Sequence, residues 1–332
     1  MPKKDTVLVT GGAGYIGSHT VKQLLNRGYE AVVYDNLVSG NEEFVLTDAF
    51  VKGDIGDEDL LWKTLKKYDP DAVMHFAAHC RVGESVRDPA KYYENNIVKG
   101  LTFLDTLREF GTDKFIFSSS AAIYGDPEEV PIKEDAPKNP KNPYGQTKWT
   151  FERILEDYSH AYKISGCSLR YFNAAGSDPE GEIGEIHDPE THLIPVVLEA
   201  AAGKREYIEI FGTDYETPDG TPIRDYIHVN DLASAHIAAL RKLDREENDY
   251  LAYNLGTGNG HSVEEVIDTC REVTGIDIPV RVGGRRPGDP PVLVADPQKG
   301  FAELDWEPEV KELTSIVESS WDWIQQHYEL ST

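Results

Sequence analysis

A doubly wound parallel α/β sheet, with a smaller mixed α/β lobe, is the fold that three observations predict for these 332 residues. Strand and helix signals alternate through the first half. A glycine-rich turn, Gly11-Gly12-Ala13-Gly14-Tyr15-Ile16-Gly17, joins the first strand to the first helix, and from about Arg170 the alternation loosens into long loops. A chain this long also exceeds the size at which one core keeps growing. The division expected is residues 1–175 for the sheet domain, with 224–258 returning to it, and 176–332 for the second lobe.

Taken in order, Thr6–Thr10 is a short apolar run, and Ile16, Val21, Leu24 and Leu25 then fall at helical spacing up to Gly28. Ala31–Tyr34 reads as a strand ending in Asp35. Strand, glycines, helix and terminal acid together form a dinucleotide-binding pattern of the Rossmann type. Gly11, Gly14 and Gly17 serve the tight turn and the close approach of a pyrophosphate, which sits at a helix N-terminus. Asp35 accepts hydrogen bonds from adenosine ribose hydroxyls and repels a 2′-phosphate, which selects NAD over NADP. Val51–Ile55 reads as a strand end with Asp54 near the adenine edge, Glu58–Lys67 as a helix and Ala72–Phe76 as a strand. The small residues after it, Ala77 and Ala78, suit close passage of a dinucleotide. Asn95–Phe110 is an amphipathic helix stopped by Gly111, and Lys114–Phe117 is a strand that delivers Ser118-Ser119-Ser120. In the second half Asp231–Leu240 is a helix with Asp231 as its cap, and Tyr253–Gly256 is a strand rejoining the first sheet. Val263–Val273 and Glu312–His327 are amphipathic helices.

Composition narrows the function. Net charge is −26, from 59 acidic and 33 basic residues, which disfavours nucleic acid or an anionic membrane as partner. No apolar run has membrane-spanning length, and the start of the chain lacks a signal peptide, so a cytoplasmic location is expected. Cys80, Cys167 and Cys270 are far apart and lack metal-ligand spacing; reduced thiols and no metal are expected. Acidity of this degree suits a salty cytoplasm, for which a need for molar salt to stay folded is the test.

The chemistry centres on Tyr144 and Lys148. Asn142-Pro143 is a helix start, and residues four apart at that start share a face. Ionising a tyrosine at neutral pH requires roughly 3 pKa units, about 4 kcal/mol. One ammonium at ~4 Å in an effective dielectric of ~20 supplies about that much, so Lys148 is expected to lower the Tyr144 pKa. In the second half Arg224, and Arg286 in the Arg285–Asp289 loop, suit a diphosphate. Their neighbours Asp225 and Asp289 offer ion pairs instead.

Assembled, the glycine turn, Asp35, Ser120 and Tyr144-x-x-x-Lys148 resemble the extended short-chain dehydrogenase/reductase family. Thr10–His19, Val82–Ser85, Tyr92–Asn96, Phe117–Ala121, Arg170–Asn173, Ile210–Tyr215, Asp219-Gly220 and Arg224–Val229 narrow the resemblance to its nucleotide-sugar epimerases, over residues 5 to about 325. The resemblance implies Ser120, Tyr144 and Lys148 as the catalytic set. It implies that Tyr15, Ile16, the loop of Asp35, Asn36, Leu37, Val38, Ser39 and Gly40, then Asp54, Ile55, Phe76, Ala77, Ala78, Asn95 and Phe172 line NAD. Asn173, His192, Leu193, Phe211, Arg224, Arg286 and Asp289 would hold a UDP-sugar, together with Ser120 and Tyr144. The implied activity is inversion at C4 of a UDP-hexose, glucose or galactose, by transient hydride transfer to NAD through a 4-keto sugar, in a homodimer. N-acetylhexosamine and pentose substrates are the nearest alternatives. A 4,6-dehydratase needs an acid pair where this chain has Ala121-Ala122-Ile123. An oxidoreductase would release NADH, and a nucleotide-sensing protein has no need of the intact Ser, Tyr and Lys. Three positions depart from the family pattern: Cys80 where several members carry Lys, His192 where many carry Asn, and Leu293 where some carry Tyr.

Overall fold

The structure, a computed structural model, describes residues 5–245, 249–286 and 289–330. Seven parallel strands form its central sheet: β1 (Thr6–Thr10), β2 (Glu30–Asp35), β3 (Phe50–Lys52), β4 (Ala72–His75), β5 (Lys114–Ser120), β6 (Ser165–Tyr171) and β10 (Tyr250–Leu255). Their order is β10-β6-β5-β4-β1-β2-β3, so the chain reverses direction across the sheet between β1 and β4. The short strands β7 (Asn173–Ala175), β9 (Ile223–His228), β11 (Gly260–Ser262) and β13 (Val292–Leu293) form a second sheet. A third pairs β8 (Ile208–Phe211) with β12 (Val280–Gly283).

Alternation within β1 shows how the sheet is covered. Val7 and Val9 enter one core, with Val33 and Met74, under helices α1 (Tyr15–Asn26) and α8 (Val229–Leu243). Leu8 enters the other, with Val32, Val73 and Phe115, under α2 (Glu58–Tyr68), α5 (Gly100–Phe110) and α6 (Pro143–Tyr162). Both faces of a parallel sheet are buried in this way, because crossover helices lie on each side. The two short helices α3 (Val82–Arg87) and α4 (Pro89–Tyr93) lie between β4 and α5. A third core gathers α7 (Leu193–Ala201), α9 (Val263–Thr274) and α11 (Leu313–His327), while α10 (Gln298–Leu304) packs beside β10.

Several expectations need correction. β6 has no signal in the sequence: it is buried throughout, although Ser165-Gly-Cys-Ser-Leu-Arg-Tyr171 lacks a β-branched run, and the expected loosening begins where it ends. Asp231 does not cap α8. His228 Nδ1 accepts from the Asn230 N–H at 3.1 Å, while the Asp231 carboxylate accepts from Glu309 and Val310 N–H at 2.9 and 3.0 Å. The expected Asn95–Phe110 helix is α5 preceded by a wider π-helical stretch, Glu94–Lys99, and β3 ends at Lys52, leaving Gly53–Ile55 outside it. The predicted return of the chain to the first sheet is β10, which pairs with β6.

A buried ion pair joins α6 to β6. Glu152 is fully buried and accepts from Arg170 Nη2 at 2.6 Å and Nε at 3.0 Å, and from the Ser119 hydroxyl. Arg170 Nη1 donates to Tyr124 Oη and to the Glu134 carbonyl, both at 3.0 Å. Burial alone would lower the Arg170 pKa, and the Glu152 charge and hydrogen bonds more than reverse this. Removing one member of such a pair strands the other in low dielectric. Glu152→Ala is therefore expected to lose about 3–5 kcal/mol of stability in urea unfolding at pH 7; a loss below 1 kcal/mol would place the pair's charge in contact with solvent.

Candidate active site

Ser120 ends β5, and Tyr144 and Lys148 lie in the first two turns of α6. The helix starts as its sequence dictates: the Asn142 side chain accepts from Gly145 N–H at 2.8 Å, and Pro143 takes the first position. The Ser120 side chain lies beside the Tyr144 hydroxyl, near enough to influence its ionisation, and Ser120 Oγ accepts from Ala122 N–H at 3.2 Å. Lys148 is 3% exposed; its Nζ donates to the Ser118 carbonyl at 2.6 Å and lies 4.8 Å from the Phe117 ring centre and 5.8 Å from that of Tyr144. No carboxylate pairs with it among the described residues, and burial lowers its pKa to about 8. The Tyr144 phenol is not acidified as expected. Burial pushes it well above the usual value, the neighbouring Cys80 adds to this, and the Ser120 side chain opposes it. Burial is the largest influence on the phenol, and the Lys148 ammonium is already hydrogen-bonded to the Ser118 carbonyl.

The glycine turn has the shape a pyrophosphate requires. Gly11 has φ +72°, and a Cβ there would stand 2.7 Å from Ala77 N; one on Gly17 would stand 2.1 Å from the Gly11 carbonyl. No side chain caps α1 at Gly14, so its first N–H groups remain for an anion. Asp35 Oδ2 and Oδ1 accept from Ala13 and Leu37 N–H at 3.0 and 2.8 Å, which wraps the loop to Gly40 around the acid. Leu37 takes a left-handed φ of +61°, and the exposed Val38 donates its N–H to Asn36 Oδ1. These features fit a dinucleotide at the carboxyl edge of the sheet. Asp54 is less free than expected, since Lys99 Nζ, Gly56 N–H and Asn36 Nδ2 all bind its carboxylate. Ile55 is buried, Phe76 packs against the His236 ring with centres 4.6 Å apart and planes tilted by 40°, and Phe172 packs in a small cluster with Leu293. Ile16 packs on the first core, and Tyr15 donates to the Gly176 carbonyl at 2.5 Å. Among the described residues the Asn95 side chain donates to Asn96 Oδ1 at 3.1 Å. Asn96, passed over in the sequence, bonds both main-chain groups of His79 at 2.9 and 3.0 Å and Thr147 Oγ1 at 3.1 Å, tying the end of β4 to the Tyr144 helix.

On the second sheet Arg224 pairs with Asp289 rather than Asp225. Asp225 is buried and occupied by Thr257, Gly258 and Ala295 N–H groups. Arg286 stacks on Phe211, 3.8 Å from its ring centre; Pro287 and Gly288, between it and Asp289, lie outside the described residues. Asn173 donates to the Asp225 carbonyl at 2.9 Å, and Leu293 pairs in register with Arg224. The Tyr215 hydroxyl, buried near Arg224 and Asp289, finds no hydrogen-bond partner among the described residues. That gap is visible only in three dimensions. His192 precedes α7, half-exposed and followed by Leu193; its Nδ1 lies 2.9 Å from both Glu185 and Glu190.

The epimerase profile described as the NAD dependent epimerase/dehydratase family matches residues 7–256. The chain is 49% identical over 321 residues to a UDP-glucose 4-epimerase of Halalkalibacterium halodurans, covering 97% of this chain and 96% of that one. Among solved structures, the UDP-glucose 4-epimerase of Brucella ovis in complex with NAD superposes with a TM-score of 0.93 at 50% identity, over 96% of this chain and 98% of that one. The Bifidobacterium longum UDP-glucose 4-epimerase in complex with NAD+ and UDP gives 0.92 at 39% identity, over 98% and 99%.

A buried lysine titrating near 8 binds fewer protons in the folded state than in the unfolded state, where it titrates near ~10.4. Stability therefore rises with pH across that window. Relative to Lys148→Met, the cofactor-free protein should gain stability between pH 8 and pH ~10.4, read from urea midpoints of the two proteins at each pH. Parallel pH profiles would mean that Lys148 stays charged and solvated.

Proposed function

The chain belongs to the NAD dependent epimerase/dehydratase family, and on that premise we propose that it inverts C4 of a UDP-hexose, interconverting the glucose and galactose forms. The observation that carries this reading is the Ser120–Tyr144–Lys148 set at the carboxyl edge of a sheet whose first turn fits a dinucleotide. The NAD-binding part is residues 1–175 with the return through 224–258, in which α8 and β10 pack on the first sheet while β9 carries Arg224 on the second, and the UDP-sugar part is 176–332. A homodimer in the cytoplasm goes with this reading; no helix among the described residues is long and apolar enough to cross a membrane.

The first turn of α1 would hold the pyrophosphate, Asp35 the adenosine ribose and Lys148 the nicotinamide ribose. NAD, when bound, supplies the acceptor that takes hydride from C4 and returns it, and a positive charge beside the phenol. Tyr144 Oη takes the proton from the 4-hydroxyl and gives it back on the other face. Ser120 Oγ hydrogen-bonds the same oxygen and keeps it in line with the phenol. Lys148 acts on Tyr144 through space. Its Nζ lies 5.8 Å from the ring centre, and a unit charge at a separation of that order, ~6 Å, in a dielectric of ~20 is worth about 3 kcal/mol against the burial that raises the phenol. Arg224 and Arg286 grip the diphosphate through charge-assisted bonds, Asp289 orients Arg224, and Phe211 backs Arg286. Asn173, His192 and Leu193 complete the nucleotide end.

Tyr144→Phe should lower kcat for UDP-galactose by about 10²–10⁴-fold with NAD content unchanged by absorbance; near-wild-type turnover removes Tyr144 from proton transfer. Arg224→Met should raise KM by at least tenfold with kcat nearly constant, since a diphosphate grip acts equally on ground and transition states. Incubating the protein, with no cofactor added, first with UDP-galactose and then with UDP-N-acetylgalactosamine and following anomeric NMR signals decides the substrate. Conversion of the N-acetyl sugar alone would overturn the hexose assignment.

A further inference from the structure

The segment between β7 and α7 gathers four ligating side chains in the pattern Glu185-x-His187-x-x-Glu190-x-His192. His187 Nδ1 lies 3.3 Å from Glu185 Oε1 and 3.2 Å from Glu190 Oε2, and His192 Nδ1 lies 2.9 Å from an oxygen of each. One donor atom from each of the four lies within 4.8 Å of all the others. We propose that this cluster is a structural site for one divalent transition-metal ion, of which Zn2+ fits best.

Charge is the first ground. The Glu185 and Glu190 side chains are 6% and 4% exposed, and no lysine or arginine pairs with either carboxylate among the described residues. Arg205, the near guanidinium, donates to the main-chain oxygen of Glu190 and pairs with Glu199. Two buried carboxylates need two positive charges. Either both imidazoles carry a second proton, or one divalent ion replaces both protons and leaves the site neutral. The neighbouring acidic group Asp178, Glu180 and Glu182 is different, because Lys22 Nζ already sits among its three carboxylates at 2.6–2.9 Å.

Geometry is the second ground. Both imidazoles present the same nitrogen, Nδ1, to the carboxylates, giving two nitrogen and two oxygen donors. Tetrahedral Zn2+ with bonds of ~2.0–2.2 Å separates its donors by about 3.4 Å, so the 2.9–3.3 Å contacts need to open only slightly. Imidazole donors disfavour Mg2+ and Ca2+, which prefer all-oxygen shells. Glu190 is already oriented, since its Oε1 accepts from Thr191 and His192 N–H at 2.6 and 2.8 Å. Four protein ligands leave no open position, which marks a structural ion and not a catalytic one. Its place gives it a task. The His187 ring stands 6.3 Å from that of Tyr15 in the cofactor turn, and His192 is the residue before α7. One ion would fix the loop that joins these two.

The test uses the full chain, stripped with a chelator and then titrated with Co2+ as a visible probe and Zn2+ by calorimetry. The expected result is one ion per chain, with the intense visible bands of tetrahedral Co2+ that Zn2+ bleaches, and a higher Tm with Zn2+. Glu185→Gln and His187→Gln should each abolish the bands and the stoichiometric uptake, while Lys22→Ala, which frees the neighbouring carboxylates, should leave the bands intact. Equal uptake by all four proteins, or weak octahedral bands in the wild type, overturns the site in favour of loose binding to an acidic surface. If neither substituted protein folds by circular dichroism, the imidazole 15N shifts of the wild type decide. Movement of two Nδ1 signals to metal-bound values supports the site, and unchanged shifts overturn it.

Discussion

Helix α6 is fixed to the sheet by buried polar contacts one turn apart, and the positions of Tyr144 and Lys148 depend on them. Tyr144, Lys148 and Glu152 follow at four-residue spacing and share one face of the helix. That face meets Ser118, Ser119 and Ser120: the Lys148 ammonium takes the Ser118 carbonyl, Glu152 takes the Ser119 hydroxyl, and Tyr144 meets Ser120. Arg170 on β6 closes the set from below by binding Glu152. The β5–β6 register is part of the same constraint, because it places Ser119 opposite Arg170. A slip of one residue would turn Arg170 to the other face of the sheet and leave Glu152 buried and alone.

What the sequence made legible was local. The Asn142-Pro143 cap, the glycine turn and the acid closing β2 are each set by a few adjacent residues, and each is where those residues imply. The parts that were not legible depend on partners far along the chain. β6 carries serine, glycine and cysteine where a strand pattern needs branched residues, and it is a strand because β5 and β10 flank it. Asp231 looks like a cap, yet the turn at Glu309 and Val310 takes its carboxylate across 78 and 79 residues. Arg224 had Asp225 beside it in sequence, but neighbours on a strand point to opposite faces, and Asp289 was the partner the fold supplied. Asn96 sat unnoticed beside Asn95 because only the wider π-helical turn and the loop at His79 give it a role.

The electrostatics follow the same division between local and assembled. A chain of net charge −26 concentrates a few cations where an anion is to be held, and it shields them from its own acids by burial or stacking. Lys148 is buried against a carbonyl, and Arg286 lies on a phenyl ring. Only Arg224 is directly paired, and its carboxylate partner fixes the guanidinium plane. The tyrosine shows the limit of pairwise arithmetic. One ammonium at contact distance suffices on paper, but burial raises the phenol first, and the ammonium is already bound to the Ser118 carbonyl.

Placing Arg224, proposed to grip the diphosphate, on a second sheet has a consequence for inversion. β9, which carries Arg224, joins the first lobe through its pairing with β7, near Tyr15 bound to the Gly176 carbonyl, and Tyr144 belongs to α6, which packs on β5 and β6. The anchor and the reacting group are thus borne by different elements. On the proposed roles, a sugar held by its diphosphate can turn about the bonds to that anchor while the Tyr144 phenol stays still. A site that bound the hexose itself tightly would stabilise one face over the other, and that uniform binding would add nothing to the rate of turning. Weak contacts to the ring and strong contacts to the diphosphate are therefore what C4 inversion asks of the fold, and the separation of α6 from β9 provides for both.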